Sequence, residues 1–456
     1  MNNKNYHFIA IGGVGMSGIA KYLLQQGCKV SGSDISDNKY VTQLREMGAQ
    51  IYIGHSKSNV PENSVVIISS AIKNNNPELI RARELGCKIY HRSDILAEIS
   101  SSRKLFIGFA GTHGKTTTSG MCSYVLSKAN EQPSFIVGGF VPELHTNGEF
   151  NKDGNIFVAE LDESDGTLVK YRPNITIINN LEADHLDFYK NGLNSIIDTF
   201  HQFLSTLKPN AKVLINNDDL GNLKLKGYNF ITYGLNNADY IAENINYGNG
   251  YTTFDVIHKG EILLNSIKII LPGEHNVYNT LAVIAACNEA NIKVNNLIQH
   301  FETFTGMGRR FQKMLDIDSI PVYDDYAHHP TEIKATLTAM KTFTEKNVVA
   351  VFQPHRYTRL MNLWEDFKTS LSYADRIIVT DVYAASETPI ENINSERFVS
   401  ELEKAEYIAG SIENVAQLLL PTLNQNDIVI GLGAGTITNL AKCLKEAKEA
   451  NIANRI

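Results

Sequence analysis

Basic residues are not in excess: 42 Lys and Arg stand against 49 Asp and Glu in 456 residues, a formal net charge of −7, with a pI near 6.0. A protein that coats nucleic acid through net charge is thereby excluded, although local basic clusters can still bind phosphate. The five cysteines, Cys28, Cys87, Cys122, Cys287 and Cys443, lie far apart, and no C-x-x-C spacing occurs. That pattern speaks against a zinc site or a disulfide framework and predicts reduced, mostly buried thiols of a cytosolic protein. No uninterrupted apolar stretch approaches the roughly 18 residues of a membrane span. Residues 1–7 are polar, so no signal peptide is expected and the protein is placed in the cytoplasm. Sequence repeats and low-complexity tracts are also missing.

What remains is the composition of an ordinary globular protein, 43% hydrophobic and 20% charged. A chain of 456 residues is too long for one compact core, and the size prior suggests about three domains. Short β-type runs at 8–11, 29–33, 65–70 and 88–90 alternate with helix-like stretches, the pattern of a parallel sheet with crossovers. A polar run at 100–104 marks a boundary. Further apolar runs fall at 105–110, 156–161, 175–179 and 213–216, then alternation at 251–258 and 262–271 predicts antiparallel strands closing one edge. A third set at 322–323, 348–352, 377–380 and 428–431 follows. The expected organisation is α/β, in three consecutive α/β domains at 1–102, 103–315 and 316–456. The first and last are expected to be Rossmann-like and the central one to carry a mixed sheet, with the loop that follows Ala110 making it a P-loop ATPase domain.

Between the apolar run 105–110 and a helix-like stretch stands Gly111-Thr112-His113-Gly114-Lys115-Thr116-Thr117. A glycine loop opening a helix presents backbone N–H groups to phosphate, and Lys115 and Thr116 add a cation and a hydroxyl suited to Mg²⁺. A nucleoside triphosphate is the ligand implied. The usual G-x-x-x-x-G-K spacing would need glycine at 109, where the chain has Phe109. Earlier, Gly13-Val14-Gly15-Met16-Ser17-Gly18 follows the first strand and Asp34 ends the next. That turn fits a diphosphate, whether of a nicotinamide or flavin dinucleotide or of a nucleotide sugar; the second nucleotide loop and the absence of evident redox machinery speak against NAD.

Acidic residues cluster at the next strand end, Glu160-Leu161-Asp162-Glu163-Ser164-Asp165, where carboxylates are placed to hold Mg²⁺; Glu163 is the first choice. His185, within Asn179-Asn180-Leu181-Glu182-Ala183-Asp184-His185-Leu186-Asp187, completes a second cation site or orients phosphate. Arg309 and Arg310 of Gly308-Arg309-Arg310-Phe311 bring planar, permanently charged forks suited to a γ-phosphate. Two polar bursts, 324–330 and 353–359, stand at strand ends of the third set, and His355, Arg356 and Arg359 together suit a small carboxylate. The turn 431–435 is read either as a phosphate approach or as a tight strand-to-helix turn.

Taken in order, the segments 7–18, 111–117, 162–165, 182–185, 308–311, 325–330 and 352–357 resemble the Mur ligases over nearly the whole chain. The resemblance implies a UDP-sugar domain, a central ATPase domain and a domain for the incoming amino acid. It implies ATP-dependent joining of L-alanine to the lactyl carboxylate of UDP-N-acetylmuramate through an acyl phosphate, a step of peptidoglycan precursor synthesis. ATP and Mg²⁺ are the implied cofactors; no nucleic acid or membrane partner is implied, and the protein is a monomer or homodimer. Gly111, Thr112, His113, Gly114, Lys115, Thr116 and Thr117 match the residues that cradle the phosphates. Thr116 with Glu163 would hold one Mg²⁺, His185 a second, and Arg310 would meet the γ-phosphate, so that Lys115, Glu163, His185 and Arg310 form the catalytic set. His275, Asn276 and Asn279 match the adenine segment and Asp325 the ribose contact. Gly13, Val14, Gly15, Met16, Ser17, Asp34, Ser69 and Ser70 would hold UDP, and His355, Arg356 and Arg359 the alanine. Two departures stand out: Thr436 replaces the Asp or Ser frequent in the family, and Lys190 lies too close to His185 for the family's carbamylated lysine. Family members that attach a whole tripeptide to the same UDP-sugar are the near alternative; a non-catalytic nucleotide-sugar-binding regulator is the remote one.

Overall fold

The computed structural model describes residues 4–185, 188–248, 250–385 and 387–453, and three β-sheets follow one another along the chain. The first has five parallel strands in the order Gln50–Ile53, Lys29–Asp34, Asn5–Ile9, Val65–Ile68, Lys88–His91. The order reverses beside Asn5–Ile9, the strand that leads into the first glycine loop and the helix Val14–Gln25. Ligands of open parallel sheets bind outside such a reversal, at the carboxyl ends of the strands.

The second sheet has ten strands and is mixed, as expected. At its centre lies Leu105–Ala110, flanked in parallel by Ile156–Glu160 and Ile175–Ile178. These three strands are nearly continuous in Ile, Val, Phe and Ala and are buried on both faces. Because Phe109 pairs with Glu160 and Ala110 with Ile178, the segments after the three strands emerge side by side. The sequence shortfall at 109 has its reason here: Phe109 is a fully buried strand residue, so the loop starts one position after Ala110. At one edge, Tyr240–Gly248, Tyr251–His258 and Glu261–Ile269 are successive neighbours. Lys259 and Gly260 between the last two both have positive φ, as a two-residue hairpin turn requires. Ser134–Val141 and Thr146–Glu149 form the opposite edge and pair antiparallel.

The third sheet runs Gln312–Ile317, Ile320–Asp325, Asp427–Leu432, Asn347–Phe352, Arg376–Val379, Ala405–Tyr407. Only Gln312–Ile317 is antiparallel to its neighbour. By compactness the chain divides into two units: Met1–Asn246 with Thr253–Ile269 and Val277–Phe304, and Tyr247–Thr252 with Ile270–Asn276 and Thr305–Ile456. The first two sheets share the first unit and one hydrophobic core, in which Tyr22 meets Phe150 and Phe157 edge to face, with ring centroids at 5.1 and 6.0 Å. Apolar clusters cover both faces of the third sheet. All five cysteines are free thiols, and four of them are buried. No described helix is long and apolar enough to cross a membrane.

Candidate active site

The phosphate loop leaves Ala110 in a conformation that only glycine accepts without strain: Gly111 has φ +117° and Gly114 φ +81°. A Cβ on Gly111 would come within 2.9 Å of the backbone at Asn179 and Asn180, and one on Gly114 within 2.9 Å of Asn279 Oδ1. Gly114 is the N-cap of the helix Lys115–Lys128. Asn180, two residues past the end of the neighbouring strand Ile175–Ile178, fastens the loop: its carbonyl accepts from Thr112 N at 2.9 Å and its side-chain oxygen from His113 N at 2.7 Å. Thr112 and Glu182 exchange hydrogen bonds, Glu182 N donating at 2.9 Å. Asn180 was not singled out as a functional residue in the sequence, since an Asn pair after a strand reads as an ordinary turn.

Lys115 folds back over the loop and donates to Gly111 O at 2.5 Å, Thr112 O at 2.9 Å and Glu163 Oε1 at 3.0 Å. Burial disfavours its charge, but the carboxylates of Glu163, Glu160 and Asp162 outweigh that and hold its pKa above the usual lysine value. Glu163 is buried, and burial pushes its pKa up to about 7, with Lys115 opposing and Asp162 adding to the rise. His185 Nε2 stands 3.8 Å from Glu163 Oε1 and 3.7 Å from Asp184 Oδ2, on a backbone with φ +52°. Lys115, Glu163 and His185 are thus brought together. Leu186 and Asp187 of the same motif lie outside the described residues.

Thr116, expected beside Glu163, instead donates to Glu160 Oε2 at 2.8 Å. Gly138 N donates to the same oxygen at 3.1 Å. Glu160 is the last residue of its strand, so its side chain is aimed by the pleat, whereas Glu163 belongs to the loop beyond. The donor set suits a hard cation such as Mg²⁺, which takes carboxylate and hydroxyl oxygens. Within it, Glu163 Oε2 is 3.0 Å from the Lys115 ammonium but accepts no hydrogen bond among the described residues.

In the first sheet, Asp34 Oδ2 accepts from Gly12 N at 2.8 Å and Asn38 donates to Gly12 O at 3.2 Å, which fixes the first glycine loop. Val14 is exposed, while Met16 and Ser17 are buried. The Met16 side chain is therefore core, not binding surface, and the Ser17 hydroxyl donates to Val14 O at 3.0 Å. Ser69 closes a turn by accepting from Ile72 N at 3.1 Å. Ser70 donates to Asp165 Oδ2 at 2.5 Å. Arg92, which carried no sequence signal beyond opening a helix, faces Gly15 and pairs with Asp162.

In the second unit, Arg310 pairs with Glu332 at 3.2 Å and lies over the Tyr326 ring. Arg309 pairs with Asp324 at 3.2 Å and donates to Gly433 O at 2.9 Å. Asp325, expected at a ribose, accepts from Phe311 N at 2.9 Å, Ala327 N at 2.7 Å and Thr336 Oγ1 at 3.2 Å. Burial lifts its pKa to about 6 against the pull of Arg310. His275 accepts from Asn276 Nδ2 at 3.1 Å, and Asn276 also donates to Pro272 O at 2.8 Å. His355 accepts from Arg359 at 3.1 Å and stacks on Tyr383 with centroids 5.5 Å apart. Burial, then His328 and the arginines, lowers its pKa to about 3. Arg356 has φ +71° and donates its N–H to Tyr383 O at 2.8 Å. The turn at 431–435 packs on Gln353: a Cβ on Gly433 would lie 2.8 Å from Gln353 O. Gln353 donates to Thr436 Oγ1 at 3.0 Å, so Thr436 serves that turn.

Three family models match in chain order: "Mur ligase family, catalytic domain" over residues 5–104, "Mur ligase middle domain" over 109–287 and "Mur ligase, glutamate ligase domain" over 309–435. The chain is 39% identical over 453 residues to the UDP-N-acetylmuramate--L-alanine ligase of Clostridium novyi, covering 98% of each protein. Among solved structures, the UDP-N-acetylmuramate-alanine ligase MurC of Thermotoga maritima superposes with TM-score 0.84 at 29% identity, over 98% of this chain and 99% of that one. The murein peptide ligase mpl of Psychrobacter arcticus shares the fold, with TM-score 0.75 at 22% identity over 98% of each chain.

Proposed function

The chain belongs to the Mur ligase family, and from that membership we propose that it joins L-alanine to the lactyl carboxylate of UDP-N-acetylmuramate with ATP, giving UDP-N-acetylmuramoyl-L-alanine, ADP and phosphate. The observation that carries this reading is the convergence of Lys115, Glu163, Thr116, Glu160 and His185 at the carboxyl ends of three adjacent parallel strands. A carboxylate is a poor acyl donor until one of its oxygens becomes a phosphate leaving group. The γ-phosphoryl group passes to that oxygen as ADP leaves, the neutral alanine amine attacks the acyl carbon and gives up a proton, and phosphate departs as the amide forms. Most of what the protein supplies is alignment and fixed charge.

In this reading the loop amides of 111–117 and the Lys115 ammonium take the ATP phosphates. Lys115 is held ready by contacts with its own loop, which phosphate oxygens replace. Thr116, Glu160 and Glu163 are the oxygen donors that would hold Mg²⁺, with His185 at its side; when bound, the ion neutralises developing charge on the phosphates. Arg310, His275, Asn276, Asn279 and Asp325 serve the nucleotide. Of these, Asp325 acts by shaping the backbone at Phe311 and Ala327. Residues 1–102 take the UDP-sugar, 103–315 ATP and 316–456 the amino acid. The alanine carboxylate is assigned to Arg356 and Arg359 with His355.

An assay of ADP release with UDP-N-acetylmuramate tests the reading. Turnover is expected with free L-alanine and not with an L-alanine-led tripeptide. Turnover with the tripeptide alone would transfer the chain to the recycling branch, and no ADP release with either would remove the ligase reading.

A further inference from the structure

The second glycine of the first loop has a cation for a neighbour. Gly15 lies in the first turn of the helix Val14–Gln25, and a Cβ built on it would lie 2.8 Å from Nη1 of Arg92. In a G-x-G-x-x-G turn this glycine keeps the backbone bare so that a diphosphate can approach. Here the bare surface is faced by a guanidinium. Arg92 Nη2 donates to Asp162 Oδ2, on the loop that also carries Glu163. Both side chains keep about a third of their surface, 29% and 30%, so the pair is open on one side. One carboxylate oxygen engages a single donor of a fork that has five. Among the described residues Asp162 is the one hydrogen-bond acceptor of this fork, which leaves N–H groups to meet a second anion.

Two parallel links keep Arg92 at this place. Lys170 pairs with Asp94 at 2.6 Å, and Asp165 is met by Ser70 at 2.5 Å and by His91 at 3.6 Å. Residues on both sides of Arg92, His91 and Asp94, are therefore tied to the acidic run and to the turn that follows it. Asp162 in turn lies near two cations, Arg92 and Lys115, which hold its carboxyl well below the usual range although its partial burial opposes them.

We propose that Arg92 is a diphosphate-binding residue of the nucleotide-sugar site, positioned over Gly15 by its ion pair with Asp162. The proposal rests on the UDP-sugar reading of the first domain and adds to it a residue from outside the glycine loop. A planar fork held by one carboxylate presents its other edge in a fixed direction, which suits the two phosphate groups better than a flexible ammonium does. The pair also joins the sugar site to the loop that bears Glu163, so the reacting carboxylate and the phosphoryl donor are registered on one piece of structure.

The test compares affinities of the full-length protein for uridine, UDP and UDP-N-acetylmuramate in wild type, Arg92→Ala, Arg92→Lys and Asp162→Asn. In Arg92→Ala, UDP and the UDP-sugar should bind about tenfold or more weakly, the loss expected of a charge-assisted hydrogen bond, while uridine binds as in wild type. Arg92→Lys should lie between, and Asp162→Asn should raise the KM for the UDP-sugar by a smaller factor than Arg92→Ala. If uridine and UDP weaken in parallel, or if UDP is unaffected, Arg92 does not bind the diphosphate and the proposal falls. Should Arg92→Ala fail to fold, the same comparison in Arg92→Lys decides. A wild-type protein that binds neither UDP nor the UDP-sugar would instead overturn the reading on which the proposal rests.

Discussion

Glu160 and Glu163 stand close together in one acidic run, yet Glu160 meets the Thr116 hydroxyl at 2.8 Å and Glu163 the Lys115 ammonium at 3.0 Å. The run itself is legible in the sequence as a cation site, but which carboxylate faces which partner is not, because that depends on where the strand ends. Glu160→Gln keeps the shape and removes the charge, and it should raise the Mg²⁺ concentration needed for half-maximal ADP release by on the order of 10- to 100-fold. An unchanged Mg²⁺ requirement would return the role to Glu163 alone. His355 has a different lesson. Burial and the surrounding cations lower its pKa to about 3, which keeps the imidazole neutral near pH 7, so in the proposed alanine pocket the fixed positive charge would come from Arg356 and Arg359. The sign is that of a depressed histidine: the imidazole charges only below its folded value. An NMR titration of the His355 ring should show no protonation between pH 5 and 8, whereas a midpoint near 6.5 would mean that it carries charge in the site.

At the scale of elements, the phosphate loop, its strand and its helix were all readable, since an apolar run, two glycines and a Lys-Thr pair follow one another without interruption. The edge strand Thr146–Glu149 was not readable: its sequence, Thr-Asn-Gly-Glu, has little β-propensity. It exists because it pairs with Ser134–Val141 and backs onto the helix Val14–Gln25, where a Cβ on Gly148 would lie 2.6 Å from Gly18 O. Asn147 is the fastening. Its amide donates to Val14 O at 2.7 Å and Ser17 Oγ at 3.0 Å, and its oxygen accepts from the buried Lys21 ammonium at 2.8 Å. Asn147→Ala should destabilise the protein by about 1–3 kcal/mol, the usual cost of leaving buried polar groups unmatched, measured by denaturant unfolding. It should also weaken UDP-sugar binding, because the helix that opens at Gly13 loses its support. A variant as stable as wild type would show that the contact is dispensable.

For the molecule as a whole, the first unit contains both sheets that are assigned to nucleotides, so a ligand of the first sheet should protect the packing of the second. UDP-N-acetylmuramate at a hundred times its Kd should stabilise by about 2.7 kcal/mol, and thermal unfolding should show one transition for the first unit that moves upward with ligand. A ligand-shifted transition confined to the first sheet, with the second melting where it did before, would separate the two. The sequence by itself determined the α/β class, the succession of three sheets and the loops that carry chemistry, because apolar runs, glycines and charged strand ends are local signals. Only the tertiary structure decided that Thr116 faces Glu160, that Met16 is core, that Asn180 ties down the phosphate loop and that Arg92 stands over Gly15. Each of these pairs residues distant in the chain, and strand register and packing, which no local pattern encodes, bring them within reach.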